Sequence, residues 1–188
     1  MKPVVVFDSS VLLLAIHPNV AIPKDPFTQE PLKLARERVE FLIKKLAAQK
    51  SKIVIPSPTL SEVLVHAGDG TQNYIDILHR PPFAVAPFGT RAAVDCALAI
   101  RRYGSKSFDR TTTRAKLKFD RQIISIAQTN GAKTIYSDDA DIYKYGKQVG
   151  ISVVRTHELD VAAEDKQIPL DLDKQNRGDG HPTMRAAT

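Results

Sequence analysis

The sequence has a single cysteine and no long uninterrupted apolar run. Cys96 cannot form an internal disulfide, which excludes a disulfide-stapled fold and is typical of a reducing compartment. The histidines are scattered, so no zinc pattern of cysteine and histidine is present. The apolar run near the N-terminus is interrupted by Asp8, is too short to cross a bilayer and lacks a small-residue cleavage pattern. We therefore expect a cytoplasmic protein.

The length and composition fit one globular domain. A chain of 188 residues is long enough to bury a substantial core. Its hydrophobic share of 43% and charged share of 26% are typical of globular proteins. The formal net charge of +6 favours a polyanionic partner, but it fits a merely basic soluble protein equally well.

Short β-branched runs alternate with segments of helical spacing. The runs predict strands at residues 4–7, 53–55, 83–86, 134–136 and 151–154. The other segments predict helices at residues 32–49, 58–67, 74–78, 91–102, 115–130 and 140–149, with Gly131 and Gly150 as C-caps. This alternation predicts an α/β fold, in which a parallel sheet has helices on both faces. Such sheets carry their sites at the carboxyl ends of the strands.

Two stretches fall outside this alternation. Residues 17–31 contain four prolines and predict a loop or insertion. From residue 160 onward the chain has no aromatic residue and no sustained periodicity, which is typical of a flexible tail. We therefore expect one domain over residues 1–158 and a tail over residues 159–188.

Aspartates follow two of the predicted strands. Asp8 comes directly after the first strand, and Asp139 follows the fourth. Two adjacent parallel strands would hold these side chains close together at the carboxyl edge. Either aspartate alone could instead cap the next helix. Asp138 could also take the role of Asp139, because the two are adjacent and an alignment error of one residue would exchange them.

Asp120 lies inside the apolar face of its predicted helix. At 100 degrees per residue, it is surrounded by Leu117, Ile123, Ile124 and Ala127. A carboxylate there is strongly penalised unless it is compensated. A metal-facing acid is therefore favoured over a buried salt bridge or a hydrogen-bonded core aspartate.

Glu62 is a weaker candidate, because it lies nearly opposite the apolar face of its predicted helix. Thr59 and Glu62 could form a capping box, which is a purely structural role. Ser57 followed by Pro58 is a better helix start, however. Glu62 would then fall just beyond the first turn, still near the carboxyl edge of the sheet.

Three stretches of the chain resemble PIN-domain nucleases, the family that includes the VapC-like ribonuclease toxins of toxin-antitoxin pairs. They are VVVFDSSVLL, PSPTLSEVLVHA and FDRQIISIAQTNGAKTIYSDDADI, and they span residues 3–156 together with the segments between them. The third is the most specific, since an aspartate opens an apolar helix that is followed by a glycine turn, a strand and Ser-x-Asp-x-Asp. The resemblance implies a three-layer α/β/α fold with a mostly parallel sheet of about five strands, the first and fourth adjacent at its centre.

The resemblance also implies a metal-dependent ribonuclease that hydrolyses phosphodiester bonds, and we expect it to be an endonuclease. Hard oxygen ligands would select Mg²⁺ or Mn²⁺. The implied catalytic and metal-binding acids are Asp8, Glu62, Asp120 and Asp139, with Asp141 as a further metal ligand. Ser9 and Ser137 would orient the metal-binding carboxylates through hydrogen bonds.

A basic stretch around Asp120 is the candidate for substrate binding. Cations beside a metal cluster would hold the phosphate backbone of RNA, although a solvated surface is the ordinary alternative. The candidates are Arg110, Arg114, Lys116, Lys118 and Arg121.

The family resemblance suggests a homodimer and an antitoxin partner. The chain is longer than the compact toxins, through its proline-rich segment, basic stretch and tail. The alternative function is a PIN-like module that binds RNA or a protein and has lost catalysis. All the acids that the resemblance requires are present, which favours the enzyme.

Overall fold

The structure is a computed structural model that describes residues 2–103 and 114–163, except for the side chains of residues 114–117. Within these ranges, no helix is both long and apolar enough to span a membrane.

A parallel sheet of five strands forms the centre of the described chain. The strands are β1 (Val4–Phe7), β2 (Lys52–Pro56), β3 (Phe83–Ala86), β4 (Thr134–Tyr136) and β5 (Ser152–Val154). Their order across the sheet is β3-β2-β1-β4-β5, and every adjacent pair is parallel. Val5 pairs with Ile53 on one side and with Thr134 on the other. The predicted adjacency of the first and fourth strands at the centre of the sheet is therefore confirmed.

Seven α-helices surround the sheet within the same described ranges. They are α1 (Ser9–Ile16), α2 (Ala35–Ala48), α3 (Ser57–Ala67), α4 (Thr71–Leu78), α5 (Thr90–Tyr103), α6 (Arg114–Thr129) and α7 (Ala140–Val149). The sequence patterns predict all of them except α1. Because Val11, Leu12, Leu13 and Leu14 are all buried, α1 has no polar face from which a helical period could be recognised.

The core consists of two clusters, one on each face of the sheet. Successive residues of a strand point to opposite faces. Accordingly, Phe7 packs in the cluster formed with α1 to α4, whereas its neighbour Val6 packs in the cluster formed with α5 to α7. The predicted three-layer α/β/α arrangement is confirmed.

Two glycines fix the position of α7. Gly150 ends the helix in the left-handed conformation, with φ of 77°, as predicted. Gly146 faces β5 so closely that a Cβ atom on it would lie 2.6 Å from Val153 Cγ2. The absence of a side chain at this position therefore allows α7 to pack directly against β5.

Residues 17–31 contain no helix or strand, and a β-bridge within them joins Lys24 and Pro31. Arg36 of α2 fastens the start of this segment, since the guanidinium donates hydrogen bonds to the carbonyl oxygens of Leu14 at 3.0 Å and His17 at 2.9 Å.

The predicted domain boundary at residue 158 stays a prediction. Leu159 and Val161 are buried, so packing continues for a few residues beyond it. The rest of the predicted tail, from residue 164 onward, lies outside the described residues, as does the basic stretch at residues 104–113.

Candidate metal and active site

A cleft of about 360 Å³ lies at the carboxyl edge of the sheet. Four parts of the chain form its walls: the start of α1, α3, α6 and the turn from β4 into α7. The lining residues are Asp8, Ser9, Ser10, Leu13, Glu62, Asp120, Ile123, Asp138, Asp139 and Ile142. All four predicted catalytic acids therefore lie in one cleft.

The sheet brings Asp8 and Asp139 to this cleft because their strands are parallel neighbours. The backbone N–H of Asp8 donates a hydrogen bond to the carbonyl oxygen of Tyr136 at 3.0 Å, so the pairing of β1 with β4 continues to the aspartate itself. Asp8 then begins α1, and Asp139 is the N-cap of α7. Both aspartates therefore lie where a central strand gives way to the next helix.

Three carboxylates form a compact acidic cluster. One carboxylate oxygen from each of Asp120, Asp139 and Asp141 lies within 4.8 Å of the other two. Asp120 is buried, and the other two are half-buried. Carboxylate oxygens are the donors that Mg²⁺ and Mn²⁺ prefer, so the residues present fit a hard divalent cation.

Asp8 is buried beside this cluster. Its Oδ2 accepts hydrogen bonds from Ser137 Oγ at 2.8 Å and from Ser10 Oγ at 3.2 Å. Burial raises the pKa of the Asp8 carboxyl to about 6. The hydrogen bond from Ser137 lowers this pKa, and the nearby charges of Glu62 and Asp139 raise it. A cation in the cleft would remove much of this unfavourable energy.

Ser10 and Ser137 also connect Asp8 with the turn that follows the neighbouring strand β4. Ser137 Oγ accepts from the backbone N–H of Asp139 at 3.1 Å, and Ser10 Oγ accepts from that of Asp138 at 3.1 Å. Each hydroxyl is thereby oriented to donate its proton to Asp8. Sequence reasoning named Ser137 and Ser9 but missed Ser10. Ser9 lines the cleft and supplies its backbone N–H to Asp8.

Asp138 and Asp139 have different environments. Asp138 accepts hydrogen bonds from the backbone N–H of Thr156 at 2.8 Å and from Thr156 Oγ1 at 2.6 Å. Asp139 Oδ1 accepts from the N–H groups of Asp141 at 2.7 Å and Ile142 at 3.1 Å. Asp139 thus caps α7 and also belongs to the acidic cluster, whereas both oxygens of Asp138 are bound by Thr156.

Glu62 is exposed on the cleft wall, as its place on the helical wheel indicates. The helix starts at Ser57, so no capping box joins Thr59 to Glu62. Ser57 Oγ instead accepts a hydrogen bond from the backbone N–H of Phe88 at 3.1 Å. Glu62 is therefore left to face the cleft.

The described basic candidates differ in exposure. Lys118 is exposed, whereas Arg121 is buried with its guanidinium 5.3 Å from the centre of the Tyr145 ring. Arg110 and the side chains of Arg114 and Lys116 lie outside the described residues. Among the side chains that the structure shows, Lys118 is thus the one of this predicted set that is open to a polyanion.

Comparisons with known proteins agree with this architecture. The sequence model described as PIN domain matches residues 32–148, which is well over half of the chain. A chain of the crystal structure of VapBC2 from Rickettsia felis, bound to a DNA fragment from their promoter, is structurally similar. The TM-score is 0.56 at 13% sequence identity, over 81% of this chain and 98% of that one. No curated protein matches the sequence.

The structural likeness at this low identity shows a shared fold, and the family match is independent of it. The matched range contains Glu62, Asp120, Asp139 and Asp141, although it begins after Asp8. Because it covers most of the chain, the protein belongs to the PIN domain family.

Proposed function

We propose that this protein is a metal-dependent endoribonuclease and that the acidic cleft is its active site. PIN domains are generally metal-dependent nucleases. The observation that carries the proposal is the convergence of Asp120, Asp139 and Asp141 within 4.8 Å, beside the buried Asp8. Such a density of carboxylates is unfavourable without a cation, because like charges repel and burial penalises each of them.

Mg²⁺ or Mn²⁺ would be held by Asp120, Asp139 and Asp141, with Asp8 and Glu62 as further ligands. When bound, the cation would activate a water molecule and stabilise the charge that develops on a phosphodiester. The chain itself supplies the orientation. Ser10 and Ser137 fix one oxygen of Asp8, and the start of α7 fixes one oxygen of Asp139.

Glu62 differs from the other acids, since it is exposed and comes from α3 on another wall of the cleft. An exposed carboxylate carries its charge without the desolvation cost that burial imposes, and its oxygens can accept hydrogen bonds from a water molecule. We assign Glu62 the role of orienting water or completing the metal site.

RNA is the proposed substrate, held by the phosphate contacts of Lys118 and its predicted basic neighbours. The net charge of +6 supports a polyanion. The similarity to a chain of a VapBC2 complex supports an antitoxin partner and a toxin role. A homodimer, which the family resemblance implies, and a cytoplasmic location, which the single cysteine favours, complete the proposal.

The test is cleavage of end-labelled single-stranded RNA with Mn²⁺, with Mg²⁺ and with EDTA. We expect cleavage that needs metal and that falls about a hundred- to a thousandfold in Asp120→Asn and Asp139→Asn, in line with the loss of a group that stabilises the charge developing at the reacting centre. Asp69→Asn, at an exposed position outside the cleft, is the matched control and should cleave normally.

A folded wild-type protein that binds RNA but never cleaves it with either metal would contradict the proposal. The inactive binding module would then be the better description. Cleavage that persists in both variants would show that the acidic cluster is not the catalytic site.

A further inference from the structure

A cation and an aromatic ring are stacked at the surface beside the cleft. Arg155 Cζ lies 4.6 Å from the centre of the Tyr143 ring, well inside the distance at which cation–π attraction acts. Tyr143 is 38% exposed, and Arg155 is half-buried. We call these two residues the Tyr143–Arg155 pair.

The pair lies at the same carboxyl edge as the acids. Tyr143 follows Ile142, which lines the cleft, and its backbone N–H donates to the carbonyl oxygen of Asp139 at 3.0 Å. Arg155 comes directly after β5, next to Thr156, whose side chain binds Asp138. The Tyr143–Arg155 pair is therefore positioned one strand beyond the acidic cleft.

The backbone around the pair is well held. The N–H of Arg155 donates to Glu158 Oε2 at 2.7 Å, and the contact of Gly146 with Val153 packs α7 against β5. Arg155 Nε is buried without a hydrogen-bond partner among the described residues, and no ion pair of Arg155 is present among them. The guanidinium thus contacts the Tyr143 ring, and it forms no ion pair with a carboxylate among the described residues.

We propose that the Tyr143–Arg155 pair is a stacking platform for a base of single-stranded RNA, next to the nucleotides that the cleft acts on. This proposal rests on the proposed function, because it takes the acidic cleft to be the place where the RNA phosphate is bound and cleaved. Unpaired bases stack on aromatic rings and on guanidinium planes, and such stacking tolerates any base. Arg155 would add attraction for the adjacent phosphate. The platform would favour unpaired RNA, because the bases of a duplex are already stacked on each other.

The test measures binding of the full chain in EDTA, so that cleavage does not enter. Fluorescence anisotropy would compare a labelled single-stranded oligouridylate with an abasic ribose-phosphate chain of the same length. We expect Tyr143→Ala to weaken binding of the oligouridylate about fivefold or more and to leave the abasic chain unaffected. Arg155→Lys, which keeps the charge and loses the plane, should show the same selectivity.

Two controls accompany this comparison. Tyr143→Phe keeps the ring and should bind as wild type. Phe27→Ala removes a ring that is 86% exposed and contacts His157 rather than Arg155, and it should also bind as wild type.

Equal weakening for both ligands, or no weakening for either, would overturn the platform. Weakening by Phe27→Ala as large as that by Tyr143→Ala would overturn it as well. Its failure is separable from that of the nuclease. If cleavage needs metal but binding is not base-selective, the nuclease proposal stands and the stacking platform is wrong. If binding is base-selective but no cleavage occurs, the platform stands and the protein is a non-catalytic binding module.

Discussion

At the scale of single residues, burial of the Asp8 carboxyl makes the stability of the folded protein depend on pH. Its carboxyl is buried, and its pKa is raised to about 6 because burial disfavours the charged form. In the unfolded chain the pKa is near the ordinary value of 3.8. The folded protein therefore binds this proton more tightly than the unfolded chain, and the stabilisation from that proton is full below pH 4 and is lost as the pH rises through 6.

Asp8→Asn should consequently stabilise the metal-free protein at neutral pH. The shift corresponds to a gain on the order of 3 kcal/mol in the free energy of unfolding at pH 7 to 8, shrinking towards zero near pH 4. Urea unfolding in EDTA at several pH values measures this difference. Asp69→Asn serves as the exposed control, and a difference between Asp8→Asn and wild type that does not change with pH would contradict the assignment.

Alanine substitutions of the three serines near Asp8 should differ in their effects on metal binding and cleavage. Ser10→Ala and Ser137→Ala each remove a hydroxyl that orients Asp8, so each should lower metal affinity or the cleavage rate about 10- to 100-fold. Ser9→Ala should have a smaller effect, because Ser9 serves Asp8 through its backbone N–H. Titration of Mn²⁺ and the cleavage rate at saturating metal distinguish the three variants. The ranking is wrong if Ser9→Ala proves the most damaging.

At the scale of elements, the packing of α7 against β5 helps to position the turn from β4 into α7, which carries Asp139. A Cβ on Gly146 would lie 2.6 Å from Val153 Cγ2 and 3.1 Å from Ile151 Cγ2. Both of these partners are short β-branched side chains that cannot rotate far away. The helix can therefore be expected to move if this glycine gains a side chain.

Gly146→Ala should destabilise the protein by about 1 to 3 kcal/mol through overpacking, in spite of the better helix propensity of alanine. The double variant Gly146→Ala with Val153→Ala should recover part of that loss, because the second substitution removes Val153 Cγ2, the atom with which the new Cβ would clash. Urea unfolding of Gly146→Ala, of Val153→Ala and of the double variant gives the coupling energy. Strictly additive effects would show that the contact is not the cause.

At the scale of the whole molecule, metal should act as a folding ligand. A cation that binds only the native cluster stabilises it by about 2.7 kcal/mol at a hundred times its dissociation constant. We expect Mn²⁺ to raise the melting temperature of the wild type and not that of Asp120→Asn. An equal rise in both proteins would place metal binding elsewhere.

The strands, the helices other than α1 and the positions of the acids on them could be predicted from local periodicity, whereas the adjacency of the first and fourth strands was implied by the resemblance to PIN-domain nucleases. Strand ends place Asp8 and Asp139, and the helical wheel places Asp120. Other features depend on distant contacts that no spacing encodes. Ser10 meets the turn after β4, which is 128 residues away, and Thr156 meets Asp138 across 18 residues.

The hydrogen bonds from the backbone to Ser10 and Ser137 have a consequence for solvent exchange. The amide protons of Asp138 and Asp139 are donated to hydroxyls that in turn point at Asp8. Deuterium replaces these protons when these hydrogen bonds open, and each such opening also frees the hydroxyls that orient Asp8. Exchange at these amides therefore measures the free energy of opening the site, and a cation bound there should slow the exchange of both amides.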